Sequence, residues 1–167
     1  MQLLRLIATL ALFAAAPLAV AGIPEMPKLP GVGGGSLLDT VNRKLAEQQV
    51  RDGQFEFKTG KAEFAAGNEK RVAGLLKIIT DNSSALKTVF PKLTVTAEGH
   101  TDTDGSPELN RKLSLARAKT VCDALKARGM QLACNPVGVG SSKPLASPEK
   151  TAADKQRNRR VLVQMAK

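Results

Sequence analysis

The sequence predicts an α/β domain in which helices pack on a sheet. Three observations carry this. Residues 93–98, LTVTAE, alternate apolar Leu93, Val95 and Ala97 with polar Thr94, Thr96 and Glu98, the period of a half-buried strand. Val72, Leu75, Leu76 and Ile79 recur at i, i+3, i+4 and i+7, the stripe of a helix that covers a sheet. A second helical period follows the strand, and residues 161–165 supply a closing strand.

In chain order, residues 1–21 read as a secretory signal peptide. Arg5 is the basic start, residues 6–18 are apolar with Pro17 interrupting, and Ala19-Val20-Ala21 fits small-x-small cleavage before Gly22. The apolar run also reaches about the 18 residues at which a spanning helix becomes possible, so an uncleaved inner-membrane anchor is the competing reading. No Cys follows the cleavage site, so no acyl anchor is expected. Residues 22–36 form a Pro/Gly-rich linker. Residues 37–52 form an amphipathic helix with Leu37, Leu38, Val41, Leu45 and Val50 on one face. That face either docks on a partner or a second copy, or packs on the chain's own domain.

The domain proper spans residues 53–167. QFEFK, with Phe55 and Phe57 turned inward, reads as a first strand before a loop at 58–66, and Asn68 as the cap of the next helix. After the strand at 93–98, the run GHTDTDGSP makes a polar turn. Gly105 permits positive φ there, and Ser106-Pro107 starts a helix that Gly129 ends. On it Leu109, Leu113, Ala116 and Leu125 supply an apolar stripe, with Asn110, Ser114, Arg117 and Val121 on an adjoining one. Asp102 in the turn and Arg117 two turns into the helix can therefore meet in one pocket. A carboxylate beside a guanidinium suits a zwitterion: Asp takes the ammonium, and Arg clamps the carboxylate. Residues 136–140 read as a short strand with Val137 and Val139 packed, and 141–155 as an exposed Ser/Pro/Lys-rich excursion.

The ordered motifs GHTD (99–102), Gly105-Ser106, Asn110, LSLARA (113–118) and NRRV (158–161) resemble the peptidoglycan-binding domain at the C-terminus of outer membrane protein A, shared by related lipoproteins and flagellar stator proteins. The resemblance covers residues 54–165. It implies a mixed four-stranded sheet with two main helices on one face, and non-covalent binding of the diaminopimelate of the peptidoglycan stem peptide. Asp102 and Arg117 match the residues that hold its zwitterionic end; Thr101, Asn110 and Arg159 match positions lining the same site. The implied setting is the periplasm, at the wall and close to the outer membrane. Relatives carry an acidic residue where this chain has Lys58, which implies a more basic pocket rim, and a small or Gly-containing turn where it has residues 154–157, DKQR.

Charge is compatible with this. The chain has 25 basic and 15 acidic residues; without Arg5 the mature chain carries 24 and 15, net +9. Such a balance suits an anionic partner. Export and the absence of Trp and Tyr argue against nucleic acid, which is not expected as a partner, whereas stem peptides offer carboxylates. With only four Phe left after cleavage, the peptide rather than the glycan is the expected target. An alternative is a periplasmic scaffold whose helix at 37–52 binds an envelope protein or a second copy.

Cys122 and Cys134 either form a disulfide, as export favours, or stay as buried thiols. His100 and Asp102 hint at a triad, but no serine sits in a nucleophile elbow, and the resemblance makes His100 structural. HTDTDG approaches a calcium loop, yet position one is His100 and position twelve is Arg111. No enzymatic activity, cofactor or metal is expected.

Overall fold

A central strand with one neighbour on each side organises the domain. The computed structural model describes residues 36–167; the expected signal peptide, and the linker up to residue 35, lie outside the described residues. The elements are α1 (Leu37–Asp52), α2 (Glu69–Val89), β1 (Thr94–His100), α3 (Pro107–Ala127), β2 (Ala133–Gly140), α4 (Ala152–Asn158) and β3 (Val161–Ala166). β1 pairs in parallel with β2 and antiparallel with β3, giving the order β2-β1-β3. Val95 and Ala97 of β1, with Val161, Val163 and Met165 of β3, are buried on the core side; Thr94, Thr96 and Glu98 alternate to the half-buried other face. Among the described residues no helix is long and apolar enough to cross a membrane.

The sheet has three strands, not the expected four. Residues 54–58 do not join it and make only an isolated antiparallel bridge, Phe57 to Phe64. The outer edge of β3 is occupied by side chains of α1 instead. Asn42 donates to the Met165 carbonyl (2.9 Å) and accepts from its amide (2.8 Å), while Gln49 does the same for Val163 (3.0 and 2.7 Å). Two carboxamides spaced i, i+7 on one helix face thus take the place of a neighbouring strand and close the edge.

Of the two readings of this helix, the structure realises packing on its own domain. Ser36 starts α1 with a capping box to Asp39. Leu38, Val41 and Leu45 are buried in the core against α2 and β3, while Leu37 and Val50 are exposed. With α2 and α3 it makes three main helices rather than two. Asn68 stands at the start of α2 but makes no capping bond. Its amide is spent on the preceding loop: Oδ1 accepts from the Glu56 N–H (3.0 Å), and Nδ2 donates to the carbonyls of Glu56 and Ala65 (2.8 Å each).

α3 lies unusually close to the sheet. A Cβ on Gly99 would sit 2.1 Å from the Ser114 carbonyl oxygen, and one on Gly138 would sit 2.5 Å from the Leu115 nitrogen. This approach decides which face of α3 turns inward. Asn110, Ser114, Arg117, Ala118, Val121, Cys122 and Leu125 are buried, whereas Leu109 is 63% exposed and Ala116 and Leu115 also face outward. Of the expected apolar stripe, Leu109 and Ala116 are therefore outside, Leu113 is half-buried and only Leu125 is in the core, while the mixed stripe beginning at Asn110 is the inner one. Ser114 fits there because its hydroxyl is satisfied locally, donating to the Arg111 carbonyl and accepting from the Gly140 N–H (both 2.9 Å).

β2 begins at Ala133, earlier than expected, so Cys134 is a strand residue; it is bonded to Cys122 on α3 with a Cα–Cα distance of 5.7 Å. Cys134 is its packed apolar residue, with Leu132 buried just before the strand, and Val137 is 38% exposed because the inward side of β2 there is Gly138 under α3. The excursion at 141–155 ends in α4, which a Thr151–Asp154 capping box starts.

Candidate functional site

The GHTD turn is fixed by both neighbours of β1. The His100 N–H donates to the Arg160 carbonyl (2.8 Å) and the Thr101 N–H to the Gly140 carbonyl (3.0 Å). Asn110, on the first turn of α3, donates from Nδ2 to the carbonyls of Asp102 (3.2 Å) and Asp104 (2.9 Å), and Gly105 turns the chain at φ +86°. Thr103 is held from outside: its N–H and hydroxyl donate to Glu149 (3.1 and 2.6 Å). Glu149 in turn accepts from Asn158, whose amide also bonds Leu145 and Ala146. Against a desolvation cost, these bonds from Asn158 and Thr103 hold the Glu149 carboxyl below its usual range.

This turn forms one wall of a pocket of about 560 Å³. Thr101, Asp102, Asn110, Arg117 and Arg159 all line it, so the structure brings the five sequence-predicted residues together. Phe57, Glu56, Asp104, Leu113 and Gln156 also line it, and these the sequence reading did not assign to the site. Phe57, whose alternation with Phe55 predicts an inward core residue, is half-buried and supports the Arg117 guanidinium, 5.1 Å from the ring centroid. Lys58 does not make the rim more basic, because it points to Glu63 (2.8 Å) and is neutralised there.

The charges are unevenly matched. Arg159 Nη1 meets Asp102 Oδ2 at 2.6 Å, Lys155 meets Asp104 at 2.6 Å, and Arg71 meets Glu56 at 2.9 Å. Arg117 has no carboxylate partner among the described residues. Its Nε donates to the Lys61 carbonyl (3.1 Å), and its terminal nitrogens make no hydrogen bond there. It is only 6% exposed, and burial, then the neighbouring Arg159, lower its pKa, while Asp102 raises it. The Thr101 hydroxyl, also buried, has no partner among the described residues. The buried Thr101 hydroxyl is costly to leave unpaired, and the Arg117 guanidinium faces the pocket with its terminal nitrogens available to a carboxylate.

His100 and the second arginine of NRR lie behind the site. His100 is 1% exposed; burial, then Arg160 and Lys143, lower its pKa to about 3, so it is neutral. Its Nε2 lies 3.3 Å from Glu98 Oε1 but off the line of a hydrogen bond. Arg160 is buried and donates to the carbonyls of Asn158 (3.2 Å) and Lys143 (3.0 Å).

Residues 56–159 match the model of the OmpA family, with the HTD turn, the α3 arginine and Asn158-Arg159 of the NRR segment inside the match. The chain belongs to the OmpA family. It is 44% identical over 70 residues to the outer-membrane lipoprotein YfiB of Pseudomonas aeruginosa, an alignment covering 41% of each chain. It is 45% identical over 74 residues to the peptidoglycan-binding protein ArfA of Mycobacterium bovis, covering 42% of this chain and 22% of that one. The alignments thus span less than half the length of these relatives. Among solved structures, a MotB-like protein of Desulfovibrio vulgaris superposes with a TM-score of 0.56 at 18% identity, over 77% of this chain and 92% of the other, which shows a shared fold. This OmpA-family domain therefore carries its motif residues on a common scaffold, with an α1 that closes the sheet edge.

Proposed function

We propose that this protein binds the cell wall non-covalently, by taking the diaminopimelate end of a peptidoglycan stem peptide into the pocket. The observation that carries the reading is Arg117: a buried guanidinium with no carboxylate bonded to it among the described residues, set on Phe57 and facing a pocket that Asp102 also lines. A carboxylate placed on its terminal nitrogens would gain charge-assisted, bidentate bonds in a partly desolvated site. Asp102 would hold the ammonium on the same carbon, and the free Thr101 hydroxyl would supply a further hydrogen bond. Asn110 acts as a positioning residue, clipping the turn through backbone carbonyls. Membership of the OmpA family and similarity to a relative named for peptidoglycan binding support the same ligand.

In this reading the protein hydrolyses nothing. It works in the periplasm, at the wall and near the outer membrane, and anchors or positions an envelope component. The alternative, an adaptor acting through the helix at 37–52, keeps only Leu37 and Val50 of its proposed face exposed, since Leu38, Val41 and Leu45 are buried in the domain. Co-sedimentation with diaminopimelate-type sacculi tests the reading. The protein should pellet with the wall, and Asp102→Ala and Arg117→Ala should stay in solution while retaining the wild-type circular dichroism. Wild-type pelleting by both variants would overturn it.

A further inference from the structure

Asp102 is already occupied. Its carboxylate is bonded to Arg159 at 2.6 Å, and the same guanidinium is held from the other side by Gln156, whose Oε1 accepts from Nη2 at 2.6 Å. Gln156 sits on α4, which its own capping box starts and whose Lys155 is tied to Asp104 (2.6 Å), so the arginine is presented to Asp102 by a structured element.

This arrangement sets a condition on any incoming cation. An ammonium that reaches Asp102 must displace Arg159 or share the carboxylate with it. If the ligand brings nothing else, Arg159 and Arg117 are then left as two guanidinium groups lining one pocket without a bonded carboxylate, since Glu56 and Asp104 are already paired with Arg71 and Lys155, and like charges in a partly desolvated site repel. A ligand with a carboxylate on the carbon that bears its ammonium removes this cost, because the carboxylate that Arg117 takes also supplies counter-charge to the neighbouring Arg159 guanidinium that the ammonium uncovers. Both ends of the ion pair are then exchanged together.

We propose that Arg159, positioned by Gln156, is a selectivity gate on Asp102. It turns away groups that offer an ammonium alone and admits those that pair it with an adjacent carboxylate. The proposal rests on the reading that the pocket takes diaminopimelate, and adds the residue that excludes lysine, which lacks that second carboxylate. This is discrimination built by making the wrong ligand unfavourable as well as the right one favourable.

The test is calorimetric titration of the protein with two soluble stem tripeptides, Ala-γ-Glu-diaminopimelate and Ala-γ-Glu-Lys. The wild type should prefer the first by roughly tenfold or more. Arg159→Gln should bind the lysine tripeptide more tightly than the wild type does, and the preference should fall below about threefold. Gln156→Ala, a change at an exposed position, should shift the ratio the same way by less, and keeps the test decisive should Arg159→Gln fail to fold. Lysine-tripeptide binding that is unchanged or weaker in the folded variants, or a wild type that does not discriminate, overturns the gate while leaving the pocket assignment standing. A wild type that binds neither tripeptide overturns both.

Discussion

Asn42 on α1 and Met165 on β3 exchange two hydrogen bonds, 2.9 and 2.8 Å long, across 123 residues of sequence. With the matching Gln49–Val163 pair they make α1 a structural part of the sheet. Asn42→Ala or Gln49→Ala removes two bonds to β3 and leaves an edge N–H and C=O to find water. Each should cost about 1–2 kcal/mol, read as a lower urea midpoint with unchanged slope. The double variant should also associate more readily, since it reopens a strand edge. Midpoints equal to the wild type would show that the carboxamides merely lie alongside.

Gly99→Ala should be among the most damaging single-methyl changes in the chain. The added Cβ meets a helix backbone carbonyl at 2.1 Å, and neither β1 nor α3 can yield without disturbing the turn that carries Asp102. A loss of more than about 3 kcal/mol, or insoluble expression, is expected. Gly60→Ala is the control: φ is +68° with open space around it, so only backbone strain of about 1 kcal/mol should appear. Similar thermal melts for the two variants would contradict the close approach of α3.

The Cys122–Cys134 bridge closes a loop between residues twelve apart. Loop-closure entropy assigns it about 2–3 kcal/mol. Reduction, or the Cys122→Ala/Cys134→Ala pair, should lower the denaturation midpoint accordingly, and an unaffected midpoint under reducing conditions would remove the bridge from the account of stability. Wall binding should persist, because neither cysteine lines the pocket.

Acid should weaken the fold through His100. Its pKa is about 3 in the folded protein against 6.5 ordinarily, so the unfolded chain takes up the proton first. Its contribution is fully present above pH 6.5 and is lost as the pH falls towards 3, by up to about 1.4 kcal/mol per pH unit. Unfolding measured between pH 7 and 4 should show this slope, and the imidazole resonances should stay neutral across it. A native histidine titrating near 6.5 would refute the burial argument.

Much of the site was legible in the sequence because its chemistry is concentrated in short ordered motifs. Asp102 and Arg117 could be placed in one pocket from a strand, a turn and a helix start, and Arg159 from the NRR segment. The orientation of α3 was harder to read. Hydrophobic periodicity favours the stripe with Leu109 and Leu113, but the glycines at 99 and 138 draw in the polar stripe, and nothing in a helix's own periodicity reports what faces it. The missing strand and the role of α1 have the same origin. Phe55 and Phe57 alternate as a strand would, yet Asn42 and Gln49 had already taken the open edge from a distant helix, through carboxamides that look like ordinary surface polars. Gln156 and Glu149 carried no signal, since their roles depend on which side chains the fold brings opposite them.

Three successive residues of the NRR segment serve three different masters. Asn158 holds the loop that steadies Thr103 through Glu149, Arg159 reaches the pocket, and Arg160 is buried and bonded to the Lys143 carbonyl. Loss of wall binding on substituting Asn158 would therefore misreport it as a contact residue. An alanine scan across this segment will yield uniformly poor binders for unrelated reasons, and only ligand affinity measured alongside loop order can separate the residue that touches from the ones that hold it in place.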